Sequence, residues 1–316
     1  MGKLRNQNLI IGCFVCVIGM TIVIDITPST VAQVPSPAGG NWFEFDGIDD
    51  FAKCKNCVLP SVESIFMDGF TLETWINIQD FPSAIPDTFN ETIIIDAGGC
   101  QLSLYTTQLD KPSNWVKGIM FKVPTTEIET VGGIVFDGFV DAETIGLYYT
   151  LYSKISKWNF ATTIGGIIDW TVPDVGKWVH VMGIIDNGNK FALCKDPNNK
   201  DVLRVSLFIN GRAISSYFCK KFMDNLNTDV TIGGNTRSFN GFIDEVRISS
   251  IARYNVANFA IPNAPFEVDE KTIGLWHFDD PAGSTLFNDA SGGNHTLYDV
   301  RPAGKMSVTW GHLKTD

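Results

Sequence analysis

The feature that most constrains the fold is a long succession of short strand-like runs separated by turn-forming residues. β-Branched and aromatic residues dominate the runs, and Gly, Pro, Asn and Asp stand between them. The runs are 42–46, 70–78, 92–96, 117–123, 145–152, 178–186, 203–209, 229–233 and 242–248. No apolar helical period persists beyond about two turns, the best stretch being 249–259. This pattern predicts an all-β fold, a two-sheet antiparallel sandwich or jelly roll.

Two local patterns refine this prediction. Asn210-Gly211 stands between two hydrophobic runs and favours a tight type I′ turn, because both central residues of that turn need positive φ. We therefore expect 203–209 and 212–216 to form a hairpin. In 70–78, strict alternation predicts one core face and one mostly polar face that carries Trp75.

Size and charge limit the classes of function. With 316 residues, 44% of them hydrophobic and 12% aromatic, the chain can form one large sandwich with short appendages. The formal net charge is −11, from 24 Lys and Arg against 35 Asp and Glu. Such a surface repels phosphate backbones, so nucleic acid is excluded as a partner.

The N-terminus has the organisation of an export signal. A basic segment, MGKLRNQN, precedes an apolar run from Leu9 to Ile24, and small residues follow up to Ala32. The run is shorter than the roughly 20 residues that span a bilayer. Residues 1–32 are thus interpreted as a cleaved signal peptide, with a retained membrane anchor as the alternative, and 33–40 as a linker. The protein is expected to be secreted or at the cell surface, with no membrane contact beyond that anchor.

The cysteines fit an exported protein. Of seven cysteines two lie in the signal, which leaves five: Cys54, Cys57, Cys100, Cys194 and Cys219. Export permits disulfides, and an odd number leaves at least one cysteine without an intrachain partner. The C-x-x-C at 54–57 lacks the second ligand pair of a zinc site, which leaves a loop disulfide or plain thiols. Cys194 and Cys219 flank the Asn210-Gly211 hairpin and are predicted to pair.

Several segments, in order, resemble the LamG-like (concanavalin A-like) jelly-roll family. They are FEFDGIDDFA at 43–52, FTLETWINI at 70–78, GKWVHVMGIIDNG at 176–188, LFINGRAIS at 207–215 and TIGGNTRSFNGFIDEVRISSIARY at 231–254. The last resembles the closing strand and a following short helical turn. The resemblance implies one jelly-roll domain over 41–262.

The segment after this domain departs from the family order. GLWHFDDPAGSTLFNDASGGNHTL at 274–297 is similar to a LamG opening, yet it follows the closing strand. About 50 residues cannot bury enough apolar surface to fold alone. We therefore expect 263–316 to be a C-terminal extension packed on the same sandwich, the start of a second repeat being the alternative.

No catalytic motif is found. Related jelly rolls include polysaccharide hydrolases and lyases, but the strand of three acids typical of laminarinase-type hydrolases is missing. The nearest approach is Glu127 and Glu129, and exposed strand faces commonly carry such charges. The four histidines, His180, His277, His295 and His312, have no metal or catalytic spacing. His180 is expected to be hydrogen-bonded, part-buried and structural, and the chain is predicted not to be an enzyme.

An aromatic stretch from Phe139 to Trp170 supplies candidate binding residues. Sugar rings stack on Trp and Tyr, so Trp158 and Trp170 are predicted to form a glycan platform, the alternative being core packing. The function predicted is a binding or adhesion module for a polysaccharide or surface glycoprotein. The alternatives are a carbohydrate-active hydrolase or lyase and a structural component of the cell surface.

Calcium is the cofactor that the resemblance implies, because related jelly rolls often hold this ion at the sandwich edge. The acidic segments FDGIDD and FIDEV offer hard oxygen ligands, and Asp46, Asp49 and Asp244 are the predicted set. The alternative is that Asp46 and Asp49 cap a turn while Asp244 accepts backbone hydrogen bonds.

Two glycosylation acceptor patterns, at Asn90 and Asn294, are expected in exposed turns.

Overall fold

The computed structural model describes most of the chain beyond the N-terminus. The described residues are 35–55, 57–83, 85, 89–108, 115–128, 160–162, 173–187, 203–222, 229–234, 237–254, 258–281 and 283–300. All of them belong to one compact unit, Val34–Asp316, and the other unit is Met1–Gln33. The predicted signal or anchor at 1–32 therefore lies outside the described residues. Among those residues, no helix has the length and apolarity needed to cross a membrane.

The described elements are almost all strands. In chain order they are β1 (Phe43–Asp46), β2 (Phe51–Cys54), α1 (Val62–Asp68), β3 (Phe70–Asp80), β4 (Phe89–Ala97), β5 (Cys100–Gln108), β6 (Trp115–Lys122), β7 (Thr125–Ile128), β8 (Phe160–Thr162), β9 (Trp178–Asn187), β10 (Leu203–Ile209), β11 (Arg212–Phe222), β12 (Val230–Ile232), β13 (Asn240–Ser249), β14 (Thr272–Trp276), β15 (Leu286–Phe287) and β16 (Leu297–Val300). They form two antiparallel sheets, which confirms the predicted jelly-roll sandwich. Sheet A has the order β1-β13-β3-β9-β10-β11-β7, with β14 also paired to β13, and sheet B has the order β15-β16-β2-β12-β4-β5-β6-β8.

The hairpin expected at Asn210-Gly211 is present. Strands β10 and β11 pair up to Ile209 and Arg212, and both turn residues have positive φ, 48° for Asn210 and 74° for Gly211. A side chain at Gly211 would meet the carbonyl oxygen of Phe259 at 2.2 Å. Glycine therefore serves both the turn geometry and the close approach of a neighbouring segment.

The residues after 262 add strands to both sheets. Strand β14 pairs with β13, so that Val246 lies opposite Trp276. Strand β16 pairs with β2. The indole Nε1 of Trp276 donates to the carbonyl of His295 at 2.8 Å, which satisfies the polar end of a fully buried side chain. Residues 251–254 are irregular, so the short helical turn implied after the closing strand is not found there.

The main core lies between the two sheets and follows from strand alternation. In β9, Val179, Val181 and Ile185 belong to this core, whereas Met182 and Ile184 lie in a separate cluster on the other face of sheet A. Between them, Gly183 admits the ring of Phe121, because a Cβ there would meet ring carbon Cδ2 at 2.3 Å. The two sheets thus approach closely at this position.

Both faces of strand β3 are buried. The first nine of its eleven residues are buried, because later segments of the chain cover the face that carries Glu73 and Trp75. The second face is mostly polar, as the alternation predicted, and it is buried. Alternation identified the two faces correctly but could not show that a distant segment covers the second one.

Candidate functional site

Part of the outer face of sheet A is covered by Tyr254 and by residues of 258–266. The ring of His180 lies 6.0 Å from that of Phe259 and 5.9 Å from that of Phe266. Tyr254 stacks on Phe259 at 3.8 Å between ring centroids. This part of the sheet is therefore covered by the chain itself and offers no free platform for a sugar ring.

A buried charged network lies beneath this cover. The Glu73 carboxylate accepts a hydrogen bond from Arg247 Nε at 2.8 Å and forms an ion pair with Nη2 of the same guanidinium at 2.7 Å. His180 Nε2 lies 3.3 Å from the other Glu73 oxygen. Burial alone would raise the pKa of Glu73, but the hydrogen bond from His180 and the charge of Arg247 together lower it. His180 is fully buried rather than part-buried, and its hydrogen-bonded, structural placement agrees with expectation.

A pocket at the rim of the sandwich is the best candidate binding site. It has a volume of about 330 Å³, within the range of small-ligand sites. Three separate connections form it: the β1–β2 turn, the loop after β3 and the loop before β13. Its lining, called the rim pocket below, is Gly47, Ile48, Asp80, Phe81, Pro82, Ser83, Ile85, Thr92, Arg237, Ser238 and Asn240.

The walls of the rim pocket are held by local hydrogen bonds. Asp80 Oδ1 accepts from the Phe81 amide at 2.8 Å, and Ser238 donates to the Asp50 carbonyl at 2.6 Å. Gly47 has a φ of 78°, and its amide donates to the Phe239 carbonyl at 3.0 Å. The pocket is thus preformed, with apolar carbon surface beside hydroxyl, amide, carboxylate and guanidinium groups.

Arg237 is the cation of the rim pocket. It is exposed, and its Nη1 donates to Asn90 Oδ1 at 2.7 Å. Asn90 is a fully buried residue of β4, so it fixes one end of the guanidinium. This placement also corrects the expectation of an exposed glycosylation acceptor at Asn90, whose side chain is turned inward from a strand. Asn294, by contrast, is exposed in irregular backbone with a φ of 58°.

An acidic turn adjoins the rim pocket. Asp46, Asp49 and Asp50 each offer a carboxylate oxygen within 4.8 Å of the others. That spacing is about two calcium–oxygen bonds, so the three carboxylates are close enough to supply part of the six to eight oxygens that calcium takes. Asp46 Oδ1 also accepts from the Ile48 amide at 2.8 Å, the turn-capping role that was the alternative reading.

Asp244 does not join this turn. In the β1–β13 register Asp46 lies opposite Asn240, and Asp244 is four residues further along, roughly 13 Å at the rise of an extended strand. The predicted set of Asp46, Asp49 and Asp244 is therefore not brought together, because strand pairing places the two acidic segments at opposite ends of β1.

Asp244 lies instead at a β-bulge with two other acids. Neither of its carboxylate oxygens has a hydrogen-bond partner of normal geometry among the described residues, although the side chain is fully buried. Burial raises the pKa of Asp244 well above its usual value, and the charges of Glu245 and Asp279 raise it further, while Ser36 lowers it. Such a carboxylate is stabilised by a proton or by a cation.

Glu245 and His277 form a pair beside Asp244. Glu245 Oε1 lies 2.7 Å from His277 Nδ1, and its Oε2 accepts from the Phe266 amide at 2.7 Å. The hydrogen bond to Glu245 raises the pKa of His277. Glu245 itself has a φ of 54° at the bulge. Through the Phe266 amide, the Glu245 carboxylate holds the segment that packs on the outer face of sheet A.

The remaining sequence predictions have mixed outcomes. Cys54 and Cys57 form a disulfide, which decides between the alternatives left open for the C-x-x-C. Trp158, Trp170, Cys194 and Glu129 lie outside the described residues, and of Cys219 and Glu127 only the backbone is described. The glycan platform and the second disulfide therefore stay predictions.

Sequence comparison gives a family match. Residues 123–255 match the Laminin_G_3 family, described as the concanavalin A-like lectin/glucanases superfamily. No curated protein sequence is significantly similar to the chain.

Several solved structures are similar to the chain at low sequence identity. A proposed carbohydrate binding protein from Bacteroides ovatus is 14% identical, with a TM-score of 0.42 over 85% of this chain and 60% of that one. Domains LG4-5 of the mouse laminin alpha1 chain are 12% identical, with a TM-score of 0.32 over 73% and 48%. The CBM40 domain of the Ruminococcus gnavus IT-sialidase is 13% identical, with a TM-score of 0.35 over 68% and 94%. The chain thus spans less than two thirds of the length of the first two of these proteins.

Residues 123–255 are thus similar to the concanavalin A-like family model, and the described strands form the two-sheet antiparallel jelly roll that the resemblance predicted.

Proposed function

We propose that this protein is an exported binding module that holds a glycan in the rim pocket without cleaving it. The observation that carries the proposal is the composition of that pocket: apolar carbon from Ile48, Phe81 and Pro82 stands beside the polar groups of Asp80 and Asn240. A sugar ring presents hydroxyls around its edge and C–H groups on its faces, so it needs both kinds of surface. The family match adds support, since that superfamily is described by its lectins and glucanases.

Binding is favoured over cleavage by the distribution of carboxylates. Glycoside hydrolysis requires a pair of acids about 5–9.5 Å apart across the scissile bond. Among the described residues that line the rim pocket, Asp80 is the only carboxylate, and its Oδ1 already accepts the Phe81 amide. We therefore assign Asp80 to hydrogen bonding of sugar hydroxyls rather than to proton transfer.

A glycan array probed with the purified full chain tests the proposal. Ser83 is exposed at the pocket, so Ser83→Trp should block it without disturbing the fold. The matched control is Val268→Trp, at an exposed position that does not line the pocket. We expect the wild type and the control to bind the same glycans and Ser83→Trp to lose them. Binding that Ser83→Trp leaves intact, or release of shortened oligosaccharides from a bound glycan, would contradict the proposal.

The location follows from the N-terminal sequence rather than from the pocket. We propose secretion or surface attachment through residues 1–32, which would place the rim pocket in contact with extracellular polysaccharides or surface glycoproteins. This location also suits the disulfide between Cys54 and Cys57.

A further inference from the structure

Arg237 has a different kind of partner from Arg204, Arg247 and Arg253. Arg204, Arg247 and Arg253 each pair with a carboxylate, at 2.6 Å to Asp186, 2.7 Å to Glu73 and 2.8 Å to Asp269. Arg237 donates to the neutral amide of Asn90, and no ion pair joins it to an acid in the part of the chain that the structure describes.

This arrangement leaves a positioned charge for a ligand. Asn90 engages one terminal nitrogen of Arg237, which leaves donors on the rest of the guanidinium. The chain carries 35 acidic residues against 24 basic ones. A guanidinium that pairs with no carboxylate among the described residues contrasts with this acidic composition. A planar guanidinium matches the two oxygens of a carboxylate in a bidentate pair.

A second cation lies close to the same pocket. Lys117 Nζ stands 5.3 Å from the centroid of the Phe81 ring, and Phe81 lines the rim pocket. Lys117 is exposed. One cation, Arg237, thus lines the rim pocket, and a second, Lys117, lies over the ring of a lining residue. Both favour a ligand with negative charge.

Given the proposed glycan-binding function, on which this inference rests, we propose that the rim pocket selects a sugar that carries a carboxylate, and that Arg237 pairs with that group. The hydroxyls of the ring then face Asp80 and Asn240, and its C–H face lies on Phe81. The pair with Arg237 supplies the preference for an acidic sugar over its neutral counterpart.

Matched probes test the assignment. Binding to the full chain is measured by calorimetry for oligogalacturonate, oligoglucuronate and oligomannuronate, each against its methyl ester, which keeps the sugar and removes the charge. A sulfated galactan oligosaccharide and a neutral galactan oligosaccharide complete the set. We expect at least one free acid to bind about tenfold or more tighter than its ester, and Arg237→Gln to abolish that preference. Lys271→Gln, the same charge change at a residue outside the pocket, should retain it.

The outcomes separate this inference from the proposed function. Equal affinity for acids, esters and neutral sugars, unchanged in Arg237→Gln, would overturn the role of Arg237 while leaving a glycan-binding pocket. Preference for the sulfated sugar over every carboxylate would overturn the choice of carboxylate. Absence of binding to all of these probes and to a broad glycan array would overturn both proposals. An unchanged thermal midpoint in Arg237→Gln shows that any loss of binding is not a loss of fold.

Discussion

Replacing Glu73 by Gln should strongly destabilise the sandwich. Glutamine keeps the shape of the side chain but removes the charge that faces Arg247, whose side chain is 7% exposed. Breaking a buried ion pair by removing one partner costs about 3–5 kcal/mol, because the other charge stays buried without compensation. At about 2–4 °C per kcal/mol for a large domain, the midpoint of thermal unfolding should fall by roughly 6–20 °C.

The pH dependence of this loss follows from the pKa of Glu73. Its pKa is lowered in the folded state, so the stabilisation by the carboxylate is complete above the pKa of the unfolded chain, about 4.3, and is lost as the pH falls through the folded value. The difference between wild type and Glu73→Gln should therefore shrink in acid.

Urea unfolding of the full chain at pH 7 and at successively lower pH measures both effects. The control is Glu270→Gln, at a side chain that is 85% exposed, where we expect a change within about 0.5 kcal/mol. A loss below about 1 kcal/mol for Glu73→Gln at pH 7, or a loss independent of pH, would refute the account of a buried charged network.

Three further predictions concern the acids and the N-terminus. Because burial raises the pKa of Asp244, its carboxylate should destabilise the fold increasingly as the pH rises above about 3.9. With chelator present, the free energy of unfolding of Asp244→Asn should equal that of the wild type near pH 4 and exceed it at pH 7. A difference between the two proteins that does not change with pH would contradict this. Calcium should raise the thermal midpoint of the wild type, because calcium at one hundred times its dissociation constant adds about 2.7 kcal/mol to the free energy of unfolding. Asp46→Ala should remove this effect. An unchanged wild-type midpoint would leave the acidic turn purely structural. Mass spectrometry of the mature protein should find a first residue near Gln33, whereas intact Met1 in the membrane fraction would establish an anchor.

Local sequence signals predicted several of the described strands and one hairpin, whereas the predicted run at 145–152 lies outside the described residues. The runs at 70–78 and 178–186 correspond to β3 and β9, and the Asn210-Gly211 hairpin is in the expected register. These features depend on alternation and on positive φ within a few residues, which the sequence displays directly. Strand β5 went unrecognised although Gly98 and Gly99, both with positive φ, mark the turn that precedes it.

The candidate site could not be predicted in the same way, because it depends on contacts between distant segments. The rim pocket combines residues 47–48, 80–83, 85, 237–238 and 240 with Thr92. Arg237 belongs to no sequence motif that would identify it. The predicted calcium ligands were wrong at Asp244, because neither acidic segment alone indicates how β1 pairs with β13. Only the pairing register of the two strands would have shown that Asp46 and Asp244 lie far apart.

A crystal structure of the protein with the tightest-binding oligosaccharide from the glycan array tests the central claim most directly. The account predicts an intact sugar in the rim pocket, with its hydroxyls within hydrogen-bond distance of Asp80 and Asn240 and its ring against Phe81. A sugar bound on another surface with the rim pocket vacant, or a cleaved sugar in the pocket, would contradict it.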